Sequence, residues 1–216
     1  MKNEISVTYT YPNRLGRIIL LAMEEIIGKN GVNAVLNQAK LRNRINNYPK
    51  NTLDKNFRFE EISQIQTALE ASYGLRGGRG LALRAGRACF KHILRDFGPE
   101  MNFTDLASRI DPLEDKVRMT TKVLAEVFNK VSDQRVTVTE NENRFLWVIS
   151  PCPFCWQREA EDAVCLMAVG LLQEALYWVS GGKFFHLEET NCIARGDEAR
   201  AQFAAAGSRS VGRPSP

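Results

Sequence analysis

The sequence is poor in the residues on which hydrolytic chemistry most often depends, since its 216 residues include only two histidines, His92 and His186. It contains no G-x-S-x-G or H-E-x-x-H motif, which excludes the usual serine-hydrolase elbow and zinc-protease helix. The glycine-rich segment 74–80 lacks the G-K-[ST] ending of a phosphate loop and does not follow a strand. No nicotinamide or flavin fingerprint occurs, so the sequence favours a binding protein and leaves an enzyme uncertain.

Long apolar runs are also missing. The most apolar stretch, Ala163–Val179, is interrupted by Gln173 and Glu174 and is shorter than the roughly 20 residues that a spanning helix needs. The first 14 residues have no apolar core like that of a signal peptide. We therefore expect a cytoplasmic protein without a membrane span. The odd number of cysteines, five, argues against a disulfide framework.

A net charge of +4 is too small by itself to indicate nucleic acid binding. Basic residues nevertheless share one face of a predicted helix, without the interleaved aromatics or the motifs of a nucleic-acid-binding domain. This face consists of Arg84, Arg87, Lys91 and Arg95. We predict that it is either a solvated surface or a surface that binds an anion or an acidic partner. Residues 1–100 carry a basic excess and 101–199 an acidic one, a distribution compatible with self-association.

Hydrophobic periodicity predicts helices in most of the chain and strands near its end. The predicted helices are Leu15–Asn30, Val32–Leu41, Phe59–Tyr73, Leu81–Phe97, Leu113–Val131 and Ala163–Ser180. The glycines of 74–80 are expected to interrupt the helical structure, and Gly98-Pro99 to end it. A hairpin is predicted over 135–150 around a Glu140–Asn143 turn, with further strands at Lys183–Glu188 and Cys192–Ala194.

This order of elements predicts an α+β fold, in which helices pack on one small antiparallel sheet. The length and composition are those of one globular domain. We assign an irregular lead-in to residues 1–14, the domain to 15–203 and a flexible tail to 204–216.

Four of the cysteines have a spacing that suits a metal site. Cys152 and Cys155 form C-x2-C on a proline-containing loop, Cys165 begins the buried helix, and Cys192 follows later. Zinc and iron–sulfur clusters both accept four thiolates, so the spacing leaves the choice open. Glu189, three residues before Cys192, is a candidate oxygen ligand. The alternatives are small core residues with free thiols, and, less favoured, a thioredoxin-like redox pair.

The C-terminal third resembles the vinyl-4-reductase, or hydrocarbon-binding, domain family. The resemblance lies in Cys165 opening a buried helix, the Gly181-Gly182 turn, Glu189-x2-Cys192 and Gly196-Asp197. The segments RLGRIILLAMEEIIGKNGVNAVL and 74–97 fit the N-terminal half, so that the resemblance covers residues 13–203. It implies a fold like that of the TRAPP tethering subunits and the heme nitric-oxide sensor domains, often as a homodimer.

The resemblance also implies a ligand set. In phenol- and toluene-responsive sensors of this family, zinc is held by a cysteine, a glutamate and two further cysteines. Cys165, Glu189 and Cys192 match three of these positions, but the fourth is Arg200, a permanent cation that cannot bind zinc. Either the metal is absent from this chain, or Cys152 and Cys155 complete its ligand set. We favour a site with these two further cysteines. The strand after Arg200 is short for the family.

We therefore expect a carrier or sensor that binds a small hydrophobic molecule: a hydrocarbon, a phenolic compound or a tetrapyrrole. The alternatives are an accessory 4-vinyl reductase of bacteriochlorophyll biosynthesis and a TRAPP-like interaction module. Aromatic and aliphatic walls with few polar groups suit such a ligand. The residues predicted to line the pocket are Phe145, Trp147, Trp156, Trp178, Phe184 and His186.

Overall fold

Four helices and six strands form the fold in a computed structural model, which describes residues 7–101, 112–141, 144–197 and 201–206. The helices are α1 (Asn13–Gln38), α2 (Phe59–Met101), α3 (Leu113–Val131) and α4 (Leu166–Val179). The strands are β1 (Thr10–Tyr11), β2 (Phe57–Arg58), β3 (Arg135–Asn141), β4 (Arg144–Ser150), β5 (His186–Asn191) and β6 (Ala201–Ala206). This arrangement confirms the predicted α+β class.

The main sheet has the order β3-β4-β6-β5, and every neighbouring pair is antiparallel. Trp147 lies in its interior, opposite Val138 on one side and Phe203 on the other. β1 and β2 form a separate two-stranded sheet, which sequence periodicity did not predict because each strand has only two residues. β1 falls within the segment assigned as the lead-in.

Both long helices have a break at a glycine. Gly28 in α1 and Gly74 in α2 have φ values of 70° and 74°, which only glycine adopts without strain. The prediction that all the glycines of 74–80 interrupt the helix was wrong, since only Gly74 departs from helical geometry. The predicted stop at Gly98-Pro99 was also wrong by a short distance, because α2 continues to Met101. A proline near a helix end removes only one hydrogen bond.

The end of the sheet also differs from the prediction. β5 begins at His186 rather than Lys183 and continues through Glu189 to Asn191. The segment Cys192–Ala194 is not a strand, because the chain turns there into a short 3-10 helix, Ile193–Arg195. The backbone N–H of Cys192 donates to Asp197 Oδ2 at 2.8 Å instead of to a neighbouring strand.

α2 and α4 cross in direct backbone contact. A Cβ atom at Gly86 would lie 2.1 Å from the carbonyl oxygen of Met167, and one at Gly170 would lie 2.0 Å from that of Leu83. Glycine at both positions is therefore required for this crossing. The core lies between α1, α2, α4 and the inner face of the sheet. Within the described ranges, none of the helices has the length and apolarity needed to cross a membrane.

Candidate functional site

The structure brings together the four cysteines that the sequence analysis selected. Cys152 and Cys155 lie on the loop after β4, Cys165 directly precedes α4, and Cys192 directly follows β5. All four are buried and none is in a disulfide. The Sγ atoms of Cys152 and Cys165 are 3.6 Å apart. The three thiols of Cys152, Cys155 and Cys165 lie within 4.8 Å of one another.

Glu189 joins this cluster from β5. One of its carboxylate oxygens and the thiols of Cys165 and Cys192 also lie within 4.8 Å of one another, so that Cys165 belongs to both groups. Glu189 Oε2 accepts a hydrogen bond from the backbone N–H of Cys165 at 2.7 Å. Glu189 Oε1 is buried without a hydrogen-bond partner among the described residues. A buried carboxylate oxygen of this kind is costly unless a cation or a proton compensates it.

The cluster strongly perturbs its own titration. Burial raises the pKa of the Cys165 thiol, and hydrogen bonding to Cys152 raises it further. Burial alone would also raise the pKa of Cys152, but hydrogen bonds from Cys155 and Cys165 outweigh it and lower this pKa. Burial and the nearby Cys192 raise the pKa of Glu189 to about 8. Thiolate formation at one cysteine thus opposes ionisation of its neighbours, as expected of closely spaced groups that a cation would hold together.

Contacts outside the cluster hold its segments in place. Asp197 accepts a hydrogen bond from the Cys192 backbone and pairs with Arg195, which closes the turn that carries Cys192. The loop between Cys155 and Cys165 is tied to the same turn by a 2.8 Å hydrogen bond from Ala160 N to Ala194 O. From α2, Gln66 Nε2 donates to Phe154 O at 2.8 Å, and Glu70 pairs with Arg158 at 3.0 Å.

The spacing of Cys152 and Cys165 is that of two ligands of one metal ion, whereas Cys192 shares a group within 4.8 Å with Cys165 and Glu189 and not with Cys152 or Cys155. A disulfide has an S–S distance of about 2.0 Å, which is much shorter than 3.6 Å. Four thiolates at the zinc–sulfur distance of about 2.3 Å lie about 3.8 Å from one another in a tetrahedron. An iron–sulfur cluster places several atoms between its ligands and needs a wider separation of the thiols.

Two small apolar cavities lie in the core beside this cluster. Cavity A, of about 30 Å³, lies between α1, α2, α4 and the loop that carries Phe154. Cavity B, of about 20 Å³, lies between α3, α4 and the sheet. Cavity A is lined by Tyr11, Leu15, Ile18, Ile19, Cys89, Ile93, Phe128, Gln134, Trp147, Ile149, Phe154, Met167, Ala168, Leu171 and Leu172. Cavity B is lined by Thr120, Thr121, Leu124, Val138, Phe145, Trp147, Leu172, Ala175, Leu176, Leu187 and Phe203.

Two residues that line cavity B, Thr120 and Trp147, carry a buried polar atom, although the surface that faces the cavity is apolar. Thr120 Oγ1 and Trp147 Nε1 are both buried without a hydrogen-bond partner among the described residues. In cavity A, by contrast, the Tyr11 hydroxyl donates to Gln134 Oε1. Because the surface that faces cavity B is apolar, neither atom presents a hydrogen-bonding group to a guest molecule there.

Two of the six residues predicted to line a pocket are in these walls, namely Phe145 and Trp147. The other four lie elsewhere. Trp156 packs edge-on against Tyr9 and donates to Glu60, while Trp178 packs against Phe90. Phe184 packs against Tyr177, and His186 is exposed beside Glu188.

The predicted basic surface on α2 is partly engaged within the protein. Arg87 donates to Gln173 on α4 at 2.8 Å, and Arg95 pairs with the adjacent Asp96 at 2.6 Å. Arg84 and Lys91 are exposed on the same helix. Two of the four side chains therefore remain available to an anion or an acidic partner, which stays a prediction.

The sequence analysis did not select several residues that shape the site. Asp197 was part of a quoted motif, and its role in holding Cys192 could have been inferred from the Gly196-Asp197 turn. Thr120 lies on the buried face of α3, where periodicity predicts only an apolar contact. Gln66 lies 88 residues from Phe154, so no local pattern indicates their contact.

Comparison with known proteins gives information about the fold. No protein-family model matches this chain, and no curated protein matches it. An Fe(II) unliganded H-NOX protein from K. algicida is similar, with a TM-score of 0.60, 16% identity and coverage of 94% of this chain and 100% of the other. An H-NOX protein from S. oneidensis in the Fe(II)NO state has a TM-score of 0.57 and 14% identity, with 89% and 98% covered. This chain therefore has the fold of the H-NOX domains.

Proposed function

We propose that this chain is a metal-containing ligand-binding domain of the sensor or carrier type. One zinc-type ion is bound by the thiolates of Cys152, Cys155, Cys165 and Cys192, and Glu189 lies beside it. A small apolar molecule is bound in the neighbouring core cavities. The observation that carries the proposal is the convergence of four buried thiols and one unsatisfied carboxylate oxygen from three separate segments of the chain.

A single ion agrees better with this geometry than an iron–sulfur cluster does. Each of the two groups of ligand atoms lies within 4.8 Å, and the separation of 3.6 Å between the Sγ atoms of Cys152 and Cys165 is close to the edge of a zinc tetrahedron. Bound zinc would cross-link the loop after β4, the start of α4 and the end of β5. Metal binding of this kind contributes directly to folding stability.

The ligand part of the proposal follows from the position of the cavities. Phe154 lies between Cys152 and Cys155, and Met167 lies two residues after Cys165; both side chains line cavity A. An ion bound to these cysteines would therefore fix one wall of the cavity. The apolar lining of both cavities favours a small apolar molecule.

A heme is not part of this proposal, although heme distortion is the subject of work on one similar H-NOX structure. Pockets for ligands of drug-like size have roughly 300–1,000 Å³, whereas the two cavities here have about 30 and about 20 Å³. Neither histidine of the chain lines cavity A or cavity B. His92 pairs with Glu25 at 2.7 Å, and His186 is exposed. The described residues thus do not fit a heme.

Kinship with the vinyl-4-reductase family is also part of the proposal, and it rests on the motif around Cys165, Glu189 and Cys192. The reductase activity that some members are named for has no support from the comparisons. Assembly as a homodimer remains a prediction.

The metal is tested by analysing anaerobically purified protein for zinc, iron and sulfide. We expect one zinc per chain, and a loss of zinc in Cys152→Ala. Cys89→Ala is the matched control, because Cys89 is also a buried free thiol but lies outside both ligand groups. A chelator should lower the thermal unfolding midpoint of the wild type and of Cys89→Ala, but not of Cys152→Ala. Full zinc content in Cys152→Ala, or iron with sulfide in the wild type, would contradict the proposed site.

A further inference from the structure

The two core cavities are separated by a thin partition. Among the described residues, only Trp147 and Leu172 line both cavities. Both side chains are buried, with 4% of their surface exposed. The partition therefore consists of one aromatic side chain from β4 and one aliphatic side chain from α4.

The two halves of this partition differ in the contacts that hold them. Trp147 belongs to an inner strand that is paired on both sides, with Val138 and Phe203 as its direct neighbours. An indole in such a position is confined by the backbone and by cross-strand packing. Leu172 is an aliphatic side chain on a helix, without a polar group that fixes it. It faces open volume on two sides, and therefore forms the removable half of the partition.

The size of the compartments limits what can enter. A water molecule needs about 10–15 Å³ of cavity volume, so compartments of about 30 and about 20 Å³ admit molecules of only a few heavy atoms. An engineered apolar cavity of about 150 Å³ in another protein binds benzene. Truncation of Leu172 would join both compartments and add the volume of its own side chain, which approaches that range.

We propose that Leu172 determines the size of the ligand that the core accepts. This inference rests on the ligand-binding part of the proposed function and specifies its ligand class. With Leu172 in place, the core takes apolar molecules smaller than an aromatic ring, one in each compartment. With Leu172 truncated, one continuous cavity takes a single ring.

The test is calorimetric titration of benzene into the metal-loaded wild type, Leu172→Ala and Leu176→Ala. Leu176 is the matched control, because it lies on the same helix, is equally buried and lines cavity B alone. Both variants lose the same atoms, but only the first opens the partition. We expect Leu172→Ala to bind benzene at least tenfold more tightly than the other two proteins. Leu172→Val removes fewer atoms and should bind benzene with an affinity between those of the wild type and Leu172→Ala. It replaces Leu172→Ala in the test if the alanine variant does not fold.

Equal benzene affinity in the two alanine variants, or in the wild type and Leu172→Ala, would overturn the inference. Failure of every folded Leu172 variant to bind benzene would overturn it as well. The proposed function is read separately, from the zinc content and from ¹²⁹Xe NMR of the wild type, because xenon is small enough to enter an apolar compartment without opening the partition. A wild type that binds neither zinc nor xenon contradicts the proposed function whatever the benzene titrations show.

Discussion

At the scale of single residues, two side chains are candidates for the fourth ligand of the proposed metal site. Cys192 and Glu189 both lie within 4.8 Å of the Cys165 thiol. Glu189 already accepts a hydrogen bond from the Cys165 backbone through Oε2. A carboxylate held in this way is well placed to orient a neighbouring ligand and to balance charge, while Cys192 would supply the softer donor and complete the four thiolates of the proposed site.

Substitution separates these two roles. Cys192→Ala removes a direct ligand, and we expect it to lose zinc to a chromogenic chelator at concentrations that the wild type withstands. Glu189→Gln keeps an acceptor for the Cys165 N–H, so its affinity should fall by roughly 10–100-fold, as for other residues that support a metal ligand. Competition titrations with the chelator measure both effects. A larger loss in Glu189→Gln than in Cys192→Ala would make the carboxylate the fourth ligand.

At the scale of elements, the crossing of α2 and α4 determines where Cys165 and Leu172 lie. The two helices touch through Gly86 and Gly170, where any side chain would collide with a carbonyl oxygen of the other helix. Because both the proposed metal ligand at the start of α4 and the partition in its middle depend on this crossing, the two glycines would support the proposed site from outside it.

Alanine substitutions test this crossing. Gly170→Ala should destabilise the fold by about 3 kcal/mol, the upper range for overpacking a core, since backbone rather than a flexible side chain must move. Gly80→Ala is the control, because a Cβ there meets nothing within 4 Å and Gly80 is helical. It should raise stability by up to about 1 kcal/mol. Urea denaturation measures both, and equal stabilities of Gly170→Ala and the wild type would show that the helices can separate at no cost.

The sequence predicted features that depend on neighbouring residues better than features that depend on contacts between distant elements. The helices and the β3–β4 hairpin follow from local periodicity, and the cluster of Cys152, Cys155, Cys165 and Cys192 followed from thiol spacing. In the glycine-rich segment 74–80 the predicted break occurs at Gly74, whereas Gly77, Gly78 and Gly80 remain helical, because glycine lowers helix propensity without excluding helical geometry. Cys192 was wrongly assigned to a strand. Its backbone N–H donates to Asp197 across a turn, and the alternation of apolar and polar residues does not reveal such a hydrogen bond. The cavities could not be predicted, since they depend on contacts between distant elements.

At the scale of the whole molecule, Asp133 connects the first and second halves of the fold. Its Oδ2 accepts hydrogen bonds from the backbone and the hydroxyl of Thr10, both at 2.8 Å, and its Oδ1 pairs with Lys55 at 2.8 Å. Burial raises the pKa of Asp133, but the bonds from Lys55 and Thr10 outweigh it and lower this pKa below its ordinary value. The ionised carboxylate is therefore the form that the folded state prefers.

This connection predicts a dependence of stability on pH. Because the folded-state pKa is lowered, the stabilisation is complete above the ordinary aspartate pKa of about 4 and is lost as the pH falls through the folded-state value. Asp133→Asn should unfold at a lower urea concentration than the wild type at pH 7, and the two midpoints should converge as the pH falls below the folded-state pKa of Asp133. Glu126→Gln, on the exposed side of α3, should leave the difference between pH 7 and pH 3 unchanged. If the urea midpoints of the wild type and Asp133→Asn differ by the same amount at all pH values, the charge of Asp133 does not contribute to stability.

The strand order β3-β4-β6-β5 has a consequence for synthesis on the ribosome. β3 and β4 are consecutive and can pair as soon as both have emerged, but β5 emerges before β6, which separates it from β4 in the finished sheet. Until β6 is made, β5 has no partner strand, and Glu189 is held near Cys165 only by contacts such as its hydrogen bond to the Cys165 backbone. At that stage the edge of β4 is open to pairing with another chain. Zinc captured at that stage would hold the loop and the start of α4 together before the sheet closes.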